Sequence, residues 1–174
     1  MIKKPLLLIF TIALLSSCEV MQSVVKSTFP YTATVVIPKT SRVGVEQEIT
    51  GVATSFDQKI SRDGNNASKL NDVRIVSAKI QSKDPSDFNI GNLTMLKVYI
   101  AKEDGSKEVL VASRTDITAG VGNSMVLDID NTATLDEHMR EQKIKVRLVY
   151  KLRNHIDANA NLRLALSFGA NPVN

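Results

Sequence analysis

Two stretches late in the chain alternate apolar and polar residues without a break. Ile144, Val146, Leu148, Tyr150 and Leu152 are interleaved with Lys143, Lys145, Arg147 and Lys151, and Leu162, Leu164, Leu166 and Phe168 repeat the pattern. A period of two sends successive side chains to opposite faces of an extended strand, so each stretch can bury one face and leave the other in water. A helix would scatter the same residues around its whole circumference. The chain is therefore read as β-rich, and the rest of the sequence is judged by whether it supplies partner strands.

It supplies several. Tyr31, Ala33, Val35 and Ile37 share one face of a strand ended by Pro38, and Ile49, Gly51 and Ala53 alternate with Thr50, Val52 and Thr54. Between residues 72 and 81 the phase slips, from Val73 and Ile75 to Val76, Ala78 and Ile80, which predicts either a β-bulge or a strand buried on both sides for part of its length. Leu96, Val98 and Ile100 lead through the turn Glu103-Asp104-Gly105-Ser106 into Val109-Leu110-Val111, and Gly120 and Gly122 precede a strand from Met125 to Ile129. Asp63-Gly64-Asn65-Asn66 reads as a turn in the longest loop, Asp57 to Leu70. The single helix start is Thr134-Leu135-Asp136-Glu137, a capping box that puts Leu135 and Met139 on one side of a two-turn helix. About eight strands at this spacing predict an antiparallel β-sandwich, immunoglobulin-like in outline, with one short helix.

The first residues stand apart. Lys3 and Lys4 precede the apolar run Leu6 to Leu15, which is shorter than the about 20 helical residues a bilayer core requires. Leu15-Ser16-Ser17-Cys18 follows and resembles the lipobox of bacterial lipoproteins: an aliphatic residue, two small ones and an invariant cysteine. That resemblance implies a signal peptide over 1–17, cleavage before Cys18, and acylation of its thiol and new amine. Several acyl chains hold a protein to a membrane more firmly than the marginal grip of one. It also accounts for Cys18 being the only cysteine in the chain. Residues 18–30 then form a lipidated tether closed by Pro30, and 31–174 a single β-sandwich domain. The layout is similar to small cell-envelope lipoproteins of Gram-negative bacteria, particularly the Bacteroidetes type. Glu19 stands where an aspartate would imply inner-membrane retention, so the resemblance implies an outer-membrane anchor, with the domain facing the periplasm.

Loss of Lys3 and Lys4 with the signal lowers the formal charge from +4 to +2, so the pI of 9.2 is no argument for nucleic acid as a partner. With Cys18 alone there is no intramolecular disulfide and no thiolate metal site, and burial must supply the stability. No tryptophan, five phenylalanines and three tyrosines leave few aromatic platforms for a carbohydrate surface.

The remaining polar constellations are incomplete as chemistry. Asp157, Asn159 and Asn161 match the opening of a calcium loop, but Leu162 stands where its glycine belongs and Phe168 where its carboxylate belongs. Asp128, Asp130 and Asn131 make a second, weaker calcium candidate, for which a solvated strand edge is the preferred reading. His138 and His155 have no spacing that suggests zinc or a triad, and both read as surface residues. No cofactor signature is present, and the expectation is a protein that is not an enzyme. The basic row Lys143, Lys145, Arg147 and Lys151, extended by Lys97, Arg153 and Arg163 if neighbouring strands pair, is the candidate binding face, suited to an acidic envelope protein or to anionic lipopolysaccharide or phospholipid. It could equally be a solvated face that discourages strand pairing at edges. Two functions fit: a non-enzymatic binding or assembly domain, and a carrier holding an apolar ligand or lipid inside the strands, at positions such as Val35, Ile80, Val98, Leu148 and Leu164.

Overall fold

The computed structural model describes residues 27–55 and 70–172. The signal peptide, Cys18, most of the predicted tether, and the predicted turn at residues 63–66 lie outside them.

Nine strands form one antiparallel sheet: β1 (Ser27–Ile37), β2 (Glu46–Ser55), β3 (Leu70–Asp84), β4 (Leu93–Ala101), β5 (Val109–Thr115), β6 (Ser124–Val126), β7 (Asp128–Ile129), β8 (Lys143–Leu152) and β9 (Ala160–Pro172). Their order across the sheet is β6-β3-β9-β1-β2-β8-β4-β5-β7. Its outermost strands, β6 and β7, are separated in sequence by Leu127 alone, so one short segment pairs with β3 at one edge and with β5 at the other. The sheet is thereby nearly closed. β1 and β2 share only two registered pairs, Tyr31 with Ser55 and Thr32 with Thr54, after which β1 follows β9 and β2 follows β8. The sheet folds over at that seam, placing β3, β9 and β1 on one side of the core and β2, β8, β4 and β5 on the other. Gly51 permits the fold: a Cβ there would lie 3.1 Å from both Thr34 O and Val35 Cγ1.

The antiparallel β architecture read from the alternation is present, and the inward residues are those the period of two selects. Tyr31, Ala33, Val35 and Ile37 are buried, as are Ile144 through Leu152 and Leu162 through Phe168 at every second position. Tyr31 and Phe168 meet edge-to-face across β1 and β9, ring centroids 5.6 Å apart. The phase slip in β3 is a bulge between Ile75 and Ser77. Val76 and Ser77 both face outward there, and Ala78 and Ile80 return to the core.

Three expectations are corrected. The strand β1 begins at Ser27, so residues 27–30 belong to the sheet: Pro30 sits opposite Ser167, where its missing N–H is tolerated outside a full ladder. The two-turn helix is a single turn, with Met139 N donating to Leu135 O at 3.1 Å and a short 3-10 stretch over His138–Arg140. The segment is claimed instead by β3, because Leu135 N donates to Val73 O and Asp136 Oδ1 accepts from Val73 N, both at 2.8 Å. Leu135 and Met139 are nonetheless both buried, as their spacing predicts. Finally, the strand expected over Met125 to Ile129 is broken at Leu127 into β6 and β7.

The strand order puts loops 38–45, 85–92, 116–123 and 153–159 at one end of the molecule. Ser27, Pro172 and loops 102–108 and 130–142 lie at the other.

Candidate functional site

β8 is central on its side of the sheet, paired with β2 and β4, so its outward side chains project from a surface fixed along both edges. Lys143 and Lys145 are exposed on that face, and Arg147 and Lys151 are half-buried. The alternation therefore places all four predicted residues on one outward row. Across the strands, Thr54, Val52, Thr50 and Glu46 oppose Lys143, Lys145, Arg147 and Lys151 on β2, and Tyr99 opposes Arg147 on β4.

The row is not uniformly positive. Arg147 donates from Nε and Nη2 to the two carboxylate oxygens of Glu108, at 2.8 and 2.5 Å, and from Nη1 to Glu48 at 2.9 Å. Its guanidinium carbon also lies 4.3 Å from the centroid of the Tyr99 ring. The forked bond from Arg147 holds the Glu108 carboxyl below its ordinary range, and the same bond pushes the Arg147 guanidinium up. Lys97 reaches Glu46 at 4.0 Å. Among the described residues neither Lys143 nor Lys151 has an ion pair, and Lys145 lies near the Asp104 carboxyl, whose pKa is lowered mainly by its bonds from Ser106 and slightly by this lysine. The uncommitted charge of the face thus sits at the two ends of β8, around a neutralised Arg147. Beside it runs an open groove of about 360 Å³, with Gln47, Lys97, Tyr99 and Val149 in its wall.

Of the proposed extension only Lys97 joins the face, through the pairing of β4 with β8. Arg163 lies on β9, separated from β8 by β1 and β2. Arg153 turns into the loop end, where it donates to Gly91 O at 3.0 Å and to Ile117 O, so it is a structural clamp. Asn89 completes that clamp by donating to Ala119 O and accepting from Gly91 N and Gly122 N.

Both calcium readings dissolve into structural bonds. Asn159 Oδ1 accepts from Lys39 N at 2.9 Å, and Asn161 Nδ2 reaches Asp84 at 3.3 Å. Asp128 is paired with Arg114, and Asp130 accepts from the amide and hydroxyl of Thr132. Among the described residues no cluster of three or more His, Cys, Asp or Glu could hold a metal ion. His155 is exposed as expected, but His138 is 3% exposed. Its Nε2 lies 2.7 Å from Lys107 O, and since a carbonyl only accepts, Nε2 carries the proton; the buried Nδ1 has no hydrogen-bond partner. His138 was placed on the surface because the segment read as an outer helix, whereas it packs beneath the 102–108 turn.

The acidic partners of the face escaped sequence reading. Glu48 and Glu108 lie far from Arg147 in sequence, and only strand pairing brings them to it. A weak signal existed in Glu46 and Glu48, alternate residues that must share the outward face of β2. Comparison with protein-family models and with curated proteins finds no match.

Proposed function

We propose that this chain is a membrane-anchored lipoprotein of the cell envelope whose β domain is a non-enzymatic binding or assembly module. The anchor rests on Leu15-Ser16-Ser17-Cys18. The binding reading rests on one observation: among the described residues the outward row of β8 leaves Lys143 and Lys151 without an ion pair, on a strand held from both sides. Fixed, partly uncompensated cations on an outward sheet face suit an anionic partner surface, with charge setting approach and register. Reaction chemistry has no comparable support in the described residues.

Such an anchor also gives the domain an orientation. Ser27 begins β1 at the end that carries loops 102–108 and 130–142. Lipid on Cys18, a few residues upstream, would hold that end near the bilayer, where Lys143 and Lys145 start β8. The opposite loops, 38–45 and 153–159 among them, would then face away from the membrane, toward the periplasm if the anchor is in the outer membrane.

The test is crosslinking in the envelope of the expressing bacterium, comparing wild type with the double reversal Lys143→Glu and Lys151→Glu. Arg147 is left intact because its loss would disturb the Glu48 and Glu108 network. Loss of a discrete crosslinked partner in the reversal, with thermal stability unchanged, supports the face. An unchanged crosslink pattern counts against it, and lipid co-purifying inside the folded domain would favour the carrier function instead.

A further inference from the structure

The segment Ser124–Ile129 closes the sheet on itself, and it does so with few bonds. β6 pairs with β3 through Lys79–Val126, Ile80–Met125 and Gln81–Ser124, and β7 pairs with β5 through Ala112–Ile129 and Ser113–Asp128. Leu127 N donates to Ala78 O at 2.9 Å and Asp130 N to Val111 O at 2.8 Å. By contrast β9 pairs with β1 along the whole of Ser27–Ile37 and with β3 along most of its length. The seam between β1 and β2 is also short, but each of those strands has a long ladder on its other side. β6 and β7 have one partner apiece.

The side chains repeat the asymmetry. Met125 and Leu127 enter the core, while Val126 is 62% and Ile129 39% exposed. The one ion pair on the segment, Arg114 to Asp128 at 3.0 Å, is exposed and contributes little. Both ends are built as pivots. Gly122 precedes the segment with φ +84°, a left-handed conformation that glycine adopts freely, and Asp130 ends it by turning the chain through its bonds from Thr132.

We infer that Ser124–Ile129 is a strap that opens as a unit while the other strands stay folded, parting β3 from β5. Local opening is set by the buried apolar contact and paired backbone that a segment must give up, and this segment gives up least. The open form uncovers the edges of β3 and β5 at once.

Native-state hydrogen exchange on the full chain decides it. The amides of Leu127 and Asp130 are expected to exchange about a hundredfold or more faster than those of Val146 and Leu148 in β8, with rates that low urea raises less steeply than those of β8. Val146→Ala should speed the β8 amides about tenfold while leaving the strap amides within about twofold, because the opened strap keeps β8 packed, whereas Leu127→Ala should speed the strap amides about tenfold. Asp128→Asn, which touches only the exposed pair with Arg114, should shift them in the same direction by less. Equal protection of the strap and β8 in the wild type overturns the inference, whatever the variants do. A uniform acceleration of both by Val146→Ala overturns it as well.

Discussion

At Gly91 an added methyl would lie 2.2 Å from Ala119 O and 2.5 Å from its carbonyl carbon, main-chain atoms held in place by Asn89. No side chain can move aside to make room. Gly91→Ala is therefore expected to destabilise the fold by about 3 kcal/mol, read from the urea midpoint at unchanged slope. Tyr31 makes the opposite kind of contact, its hydroxyl donating to Glu141 O at 2.9 Å from a buried position. Burial, aided by the nearby Glu141 carboxylate, pushes its phenol up from 10.0 to about 12. A group whose pKa rises on folding contributes stability that is complete below its unfolded value and lost as pH passes its folded one. The Tyr31 share should thus be present below pH 10.0 and disappear as pH rises toward about 12. Tyr31→Phe should flatten that part of the stability profile and cost about 1 kcal/mol at neutral pH. Neither residue is conspicuous in the sequence, where Gly91 is one glycine among eight.

Strand β8 was the most legible element, because the alternation that places its cations outward is the same one that buries Ile144 to Leu152. What the alternation could not supply was the charge opposite those cations. That depends on register with β2 and on the path of the β4–β5 turn, and both are set by long-range pairing. The result is a guanidinium shared by Glu48, Glu108 and the Tyr99 ring. Arg147→Ala should cost about 1 kcal/mol, most of it lost again in high salt, since the pairs are partly exposed. The lowered Glu108 pKa gives this network a pH sign: its contribution is present above 4.5, the ordinary glutamate value, and is lost as pH falls through the lower folded value. In Glu108→Gln that acid-side loss should be smaller, as followed by thermal melts from pH 6 downward. The phase slip in β3 marked an irregularity that could be a bulge or two-sided burial, and the outward Val76 and Ser77 show which of the two it is. The helix at Thr134 was not legible, because a capping box reports local preference while Val73 offered competing backbone bonds.

For the whole molecule, consecutive strands were visible and their closure was not. A meander read along the chain gives neighbours, but the near closure arises from a six-residue segment that serves both edges, and no local pattern marks it. The ends of the molecule follow from the strand order, and they carry the functional argument. The chain enters at one end through Ser27, and a lipid upstream would set that end against a membrane and leave the opposite loops and the β8 face for a partner.

Everything in that argument depends on the anchor at Cys18. The measurement that tests it most directly is the intact mass of the protein, expressed in a bacterium from its own first residue, for wild type and Cys18→Ala. The account predicts a wild-type chain that begins at Cys18 and carries acyl mass, and a variant that carries none. A wild-type product cut elsewhere and free of lipid would contradict it, and the domain would then be a diffusing β protein with no preferred end.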